Sequence, residues 1–204
     1  MLTSFKTLEF GQRMYVASTK HSSLIFDPGV LTNDVLKDLS GQIKPPVAIF
    51  LTHGHFDHLN GIPQIRKMFG EIPVFMNSLD EPILKQNRLL QFITKSKTEP
   101  FLLQEYINIE NPIGLEFLDQ FKIMMISTPG HTPGSTCFIH DRNLISGDTL
   151  LRGESGPTML PGGNPESMRK TILQLKERSD FDRIAPGHGD YFSKFQLDWN
   201  ADGI

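Results

Sequence analysis

Five consecutive apolar residues, Val47-Ala48-Ile49-Phe50-Leu51, stand between a Pro45-Pro46 break and a polar stretch. That is the pattern of a short buried strand. Pro73-Val74-Phe75-Met76 repeats it, and between the two, Leu59 and Ile62 followed by residues 64–69 open a helix that ends at Phe69-Gly70. Upstream, residues 8–17 and 22–26 predict two strands joined through Ser18-Thr19-Lys20-His21, and the second runs into an Asp27-Pro28-Gly29 turn. Residues 32–39 place capping residues ahead of apolar positions at helical spacing and stop before Gly41. Downstream, residues 80–98 predict a helix with Ile83, Leu84, Leu90, Phe92 and Ile93 as its apolar members, whereas 99–115 carry no readable rhythm. Strands are predicted at 115–118, 122–127, 135–140 and 143–145, the last two joined at Asp141-Arg142-Asn143. Gly and Pro mark 151–163 as a loop, and Asn164-Pro165 opens a helix with Met168, Ile172, Leu173 and Leu175 on its buried face. A short strand at 183–185 leads to Pro186-Gly187-His188-Gly189. Strands and helices interspersed along the whole chain predict a layered architecture in one domain, residues 1–204.

Composition narrows the partners. Hydrophobic content of 38% and charged content of 21% describe an ordinary globular protein. A formal net charge of −3, with Lys and Arg scattered, offers no broad basic face for nucleic acid or anionic lipid. No apolar run reaches the length of a membrane span, and Met1-Leu2-Thr3-Ser4-Phe5-Lys6 lacks the pattern of an export signal, so a cytoplasmic protein is expected. The single cysteine, Cys137, excludes an intramolecular disulfide and reads as a small core residue. Oligomeric state has no signature in the sequence.

The polar stretch after Leu51 is Thr52-His53-Gly54-His55-Phe56-Asp57-His58, four metal-binding side chains within six residues on a strand-to-helix loop. In an extended segment His53, His55 and Asp57 project to one side and His58 elsewhere, so one loop can serve two metal positions. Imidazole and carboxylate suit zinc, and also iron or manganese. Three further loops share one design, a strand end, a glycine and then a donor: Thr128-Pro129-Gly130-His131, Ser146-Gly147-Asp148 and Pro186-Gly187-His188. Together these loops present five His and two Asp, enough for two metals that share one Asp. Asp27 has two readings of equal standing, a turn initiator or an acceptor that orients a ligand histidine. His21 reads as an exposed turn residue and His140 as structural or exposed.

These motifs, in this order, resemble the metallo-β-lactamase-fold hydrolases, and within them the glyoxalase II-like branch, over nearly the whole chain. The resemblance implies a four-layer αββα sandwich with the site at one edge of two sheets. It implies that His53, His55 and His131 hold one metal, that Asp57, His58 and His188 hold another, and that Asp148 bridges them. Asp57 would also orient the nucleophile. The expected cofactors are two divalent ions, zinc foremost, with iron or manganese as alternatives. The expected reaction is cleavage of a small ester or thioester by metal-activated water.

Other activities of this superfamily stay open: a mononuclear iron site of the persulfide dioxygenase kind drawn from His55, His131 and Asp148, a lactonase, or metal binding without turnover. Two departures bear on the substrate. Only sixteen residues follow His188, too few for the helical domain with which full-length glyoxalase II grips glutathione. Where that branch carries Gly-Lys or Gly-Arg after the bridging Asp, this chain has Gly156-Pro157, which leaves Arg152 as the nearby basic candidate. A small molecule is the expected partner, not nucleic acid or a membrane.

Overall fold

The computed structural model describes residues 1–197 and 199. Two mixed sheets face each other with helices on their outer faces. The first sheet holds β1 (Leu2–Lys6), β2 (Arg13–Ser18), β3 (Ser23–Phe26), β4 (Pro46–Phe50), β5 (Val74–Met76) and β6 (Ile107–Asn108), in that spatial order. Its first three strands are antiparallel, and β3 to β6 are parallel. Parallel neighbours need crossovers, supplied here by α1 (Asn33–Gln42), α2 (Ile62–Phe69) and α3 (Glu81–Thr94). The chain continues through α4 (Pro112–Gln120), β7 (Met124–Ser127), β8 (Thr136–His140), β9 (Asn143–Gly147), a two-stranded ribbon of β10 (Leu150–Leu151) and β11 (Glu154–Ser155), α5 (Pro165–Lys176), β12 (Arg183–Pro186) and β13 (Phe192–Ser193). The second sheet has the order β13-β12-β9-β8-β7, with β12 and β9 parallel.

Side-chain alternation along the strands builds the layers. In β2, Tyr15 and Ala17 join one apolar cluster while Met14 and Val16 join another; around β4, Ala48 and Phe50 separate from Ile49 and Leu51 in the same way. The cluster containing Phe50 also takes Phe138 of β8, Ile145 of β9 and Ala185 of β12, so it lies between the sheets. Its centre is aromatic: Phe50 stacks on Phe75 at 4.8 Å and on Phe26 at 5.8 Å, and Phe138 meets Phe26 at 4.9 Å. Ile49 and Leu51 pack outward with Leu39, Ile62, Ile65 and Leu84 of the first three helices. Cys137, Leu144 and Ile184 pack outward with Met168, Ile172 and Leu175 of α5. The result is the αββα sandwich.

Several boundaries differ from the sequence expectation. Residues 8–17 are not one strand: the chain reverses between β1 and β2, with Phe10 and Gly11 both at positive φ. Residues 115–118 belong to α4, not a strand. Asn111 caps Ile113 N, and Pro112 opens the helix, the same Asn-Pro signal as at α5. Helix α3 ends at Thr94 with Lys95 left-handed, and its Phe92 and Ile93 face outward at 82% and 62% exposure. Leu173 is 47% exposed, so it lies outside the buried face of α5. Among the described residues, no helix is long and apolar enough to cross a membrane.

Candidate metal centre

All the candidate donors arise at one edge of the sandwich. His53 to His58 follow the carboxyl end of β4, His131 follows β7, Asp148 follows β9 and His188 follows β12. In the second sheet β7, β9 and β12 point the same way, because β7 and β9 each pair antiparallel with β8, and β9 and β12 are parallel. Loops at the carboxyl ends of such strands are where layered α/β folds put their ligands. His140, at the end of an antiparallel strand, falls on the opposite edge and is buried at 7% exposure.

The geometry brings every predicted donor together. One ligand atom each from His53, His55 and His131 lies within 4.8 Å of the others, and the same holds for Asp57, His58 and His188, and for His53, His58 and Asp148. Asp148 stands between the first two groups: Oδ2 is 3.6 Å from His131 Nε2 and 3.3 Å from His188 Nε2, and Oδ1 is 3.4 Å from His58 Nε2. The expectation that Asp57 projects with His53 and His55 does not hold. Phe56–His58 is a turn of 3-10 helix rather than extended chain, which swings Asp57 to the His58 and His188 side.

The outer nitrogens are held in place. Asp27, at φ 51, accepts from Thr52 N and from Thr52 Oγ1, both at 2.7 Å, and from His58 Nδ1 at 2.9 Å. Both readings have a contact: the carboxylate meets the His58 ring, and the Asp27 carbonyl accepts from Gly29 N at 2.9 Å in the turn. Thr52 Oγ1 in turn accepts from His53 Nδ1 at 3.0 Å. His131 Nδ1 donates to Pro157 O at 2.8 Å, and His188 Nδ1 donates to Phe10 O at 3.0 Å. Four rings thus spend their Nδ1 protons outward and turn Nε2 inward. His53 Nε2 and Asp148 Oδ1 are buried without a hydrogen-bond partner among the described residues, and His55 Nδ1 faces His131 Nε2 at 2.9 Å. Buried lone pairs converging on one point fit a cation, and imidazole with carboxylate fits a divalent transition metal. Pro157, Phe10 and Thr52 play these parts through backbone carbonyls and a hydroxyl, for which no sequence pattern exists.

Electrostatics divides the two groups. Burial, then the neighbouring His58, His55 and His131, hold His53 well below its ordinary value, and burial with His131 lowers His55 to about 3. Burial alone would lower His58 too, but the Asp148, Asp57 and Asp27 carboxylates outweigh it and raise His58 to about 10. His188 is raised to about 11 against its burial by Asp148 and Asp57. Asp57 and Asp148 are lowered: burial pushes both up, and His58 and His188 outweigh it. Before a cation enters, the second group therefore keeps protons that the cation must displace. Arg152 sits exposed between β10 and β11, and His21 is exposed in its turn.

Two facing mixed sheets with five His and two Asp gathered at one edge are the architecture of the metallo-beta-lactamase fold. The chain belongs to the metallo-beta-lactamase superfamily, whose family model matches residues 9–188. It is 33% identical over 187 residues to the probable metallo-hydrolase YqgX of Bacillus subtilis (strain 168), covering 86% of this chain and 83% of that one. It is 32% identical over 178 residues to a hydroxyacylglutathione hydrolase of Shewanella halifaxensis, covering 86% of this chain and 60% of that one. The solved structure of TTHA1623 in a di-iron-bound form superposes with a TM-score of 0.81 at 26% identity, covering 95% and 96% of the two chains.

Proposed function

We propose that this protein hydrolyses small thioesters or esters with two divalent cations, zinc foremost, held by the seven converging donors. The observation that carries the reading is Asp148, whose carboxylate lies within 3.6 Å of ring nitrogens from both histidine groups. The likeness to a hydroxyacylglutathione hydrolase supports an acyl–sulfur bond as the target.

Cations bound there would lower the pKa of a water to about 7 and polarise a substrate carbonyl. The chain's own residues do the rest. Asp57 and His188 are the more open members of the second group, with side chains 12% and 21% exposed, and Asp57 Oδ2 lies 3.2 Å from His188 Nε2. From that position Asp57 would hold a metal and orient an attacking water through a carboxylate that its histidine neighbours favour in the ionised form against its burial. Asp27, Thr52, Pro157 and Phe10 keep the rings from turning. Arg152, exposed between β10 and β11, is the basic side chain this reading assigns to an anionic substrate tail, since Pro157 stands where a basic residue is expected.

The test is metal analysis together with a panel of thioesters, lactones and persulfides assayed at matched loading. Two equivalents of zinc with thioester turnover are expected. Asp57→Ala is expected to lose one equivalent and lower turnover at least ~100-fold. One equivalent of iron with oxygen uptake on persulfides, or an Asp57→Ala variant with unchanged metal content and rate, would overturn the proposal.

A further inference from the structure

We infer that Asp80 is the positioning residue of the three-histidine group, joining the loop of His53 and His55 to the loop of His131. The inference rests on the reading above that this group holds a cation. Asp80 is fully buried, immediately precedes α3, and belongs to none of the donor groups. Its Oδ2 accepts from Gly54 N at 2.8 Å and from Thr132 Oγ1 at 2.8 Å, and its Oδ1 accepts from Gly134 N at 2.6 Å. Gly54 lies between His53 and His55, while Thr132 and Gly134 follow His131 directly. One side chain thus sets the spacing of two donor loops that come from different sheets.

Its surroundings are built for that contact. Two backbone N–H groups and a hydroxyl meet its two oxygens, and they counter the burial that raises its pKa without cancelling it. A Cβ on Gly134 would lie 2.7 Å from Asp80 Cγ, and one on Gly54 would lie 3.1 Å from Asp80 Cβ, so the approach depends on glycine at both places. From α3, Asn87 Nδ2 donates to Gly54 O at 2.8 Å. Gly54 is therefore held at its N–H by Asp80 and at its carbonyl by Asn87. A second link between the loops, Thr136 N to Thr52 O at 2.8 Å, lies ahead of His53 and leaves the turn at Gly54 to Asp80. What this spacing fixes is the approach of His55 Nδ1 to His131 Nε2, 2.9 Å across the sheet boundary.

Asparagine at position 80 keeps the volume but turns an amide N–H toward a donor, which breaks the bridge without opening a cavity. The experiment is a stepwise Co2+ titration of the metal-free protein, by chelator competition and visible absorption, on wild type, Asp80→Asn, Thr132→Val and Asp27→Asn. Asp80→Asn is expected to weaken one cobalt-binding step about 10–100-fold and to alter the absorption of that step. Thr132→Val should move the same step less, and Asp27→Asn, which loosens His58 directly and His53 only through Thr52, should move chiefly the other. Asp80→Asn protein that melts as wild type and binds both cobalt ions with unchanged affinity and spectrum would overturn the inference. So would equal weakening of both steps, which marks a general packing role. If Asp80→Asn does not fold, Thr132→Val decides by the same criterion. Wild type that binds cobalt but cleaves no thioester sinks the hydrolase reading and spares this one; wild type that binds no cobalt sinks both.

Discussion

Asp27 Oδ2 lies 2.9 Å from His58 Nδ1, and both side chains are almost wholly excluded from solvent. The contact fixes which face of the His58 ring can meet a cation. Asp27→Asn keeps an acceptor, but its amide can present N–H groups to His58 and Thr52 in place of oxygen. The variant is expected to weaken the metal on the His58 side ~10–100-fold, with a smaller loss on the three-histidine side, which Asp27 reaches only through Thr52 and His53. Competition with a chelator of known affinity checks this, and equal loss of both metals would refute it.

Stability of the metal-free protein is expected to peak near pH 6.5. His58 and His188 are raised to about 10 and about 11, so their contribution is complete below the unfolded value of about 6.5 and is lost as pH climbs through 10 and 11. His53 and His55 are shifted down, His55 to about 3, so the fold favours their neutral rings and loses that preference as pH falls below about 6.5. Thermal midpoints of chelated protein between pH 5 and 10 provide the check. A flat profile would contradict the assignment of protons to these rings.

Gly187 lies beside the bridging carboxylate: a Cβ there would sit 2.2 Å from Asp148 Oδ1 and 2.8 Å from His58 Cε1. Gly187→Ala must therefore displace Asp148 or the last loop, and metal affinity is expected to fall at least ~10-fold. Isothermal titration reads the loss directly. An alanine variant that keeps wild-type affinity would show that the loop yields freely.

Phe50 is the centre of the aromatic layer between the sheets and is fully buried. Phe50→Ala is expected to cost about 3–5 kcal/mol of unfolding free energy. Urea denaturation of the metal-free protein measures it, and a loss under about 1 kcal/mol would mean that the core collapses to fill the space.

The donor residues were legible because ligand chemistry is written in side chains at strand ends. His53, His55, His58, His131, Asp148 and His188 each follow a strand closely, and tight turns mark several of the places. Asp57 was legible as a donor but not in its direction, since the 3-10 turn at Phe56–His58 has no distinctive composition. Asp80 was illegible for a different reason. It reads as an ordinary acidic residue at a helix start, and its meaning lies in contacts with Gly54, 26 residues earlier, and Gly134, 54 residues later. Helix α4 covers 115–118, where the apolar run predicts a strand, although Asn111-Pro112 carries the same opening signal as Asn164-Pro165 at α5. Short apolar runs such as Leu115 to Leu118 do not distinguish strand from helix by periodicity alone.

The donors are divided between the two sheets, His53 to His58 on one and His131, Asp148 and His188 on the other. Neither half of the polypeptide carries all seven donors that converge at the edge. In a chain made from its amino end, the proposed site would be complete only once residue 188 has been added and its strand has docked, so loading would be a late event in maturation. A bound ion would then report that the whole sandwich has closed.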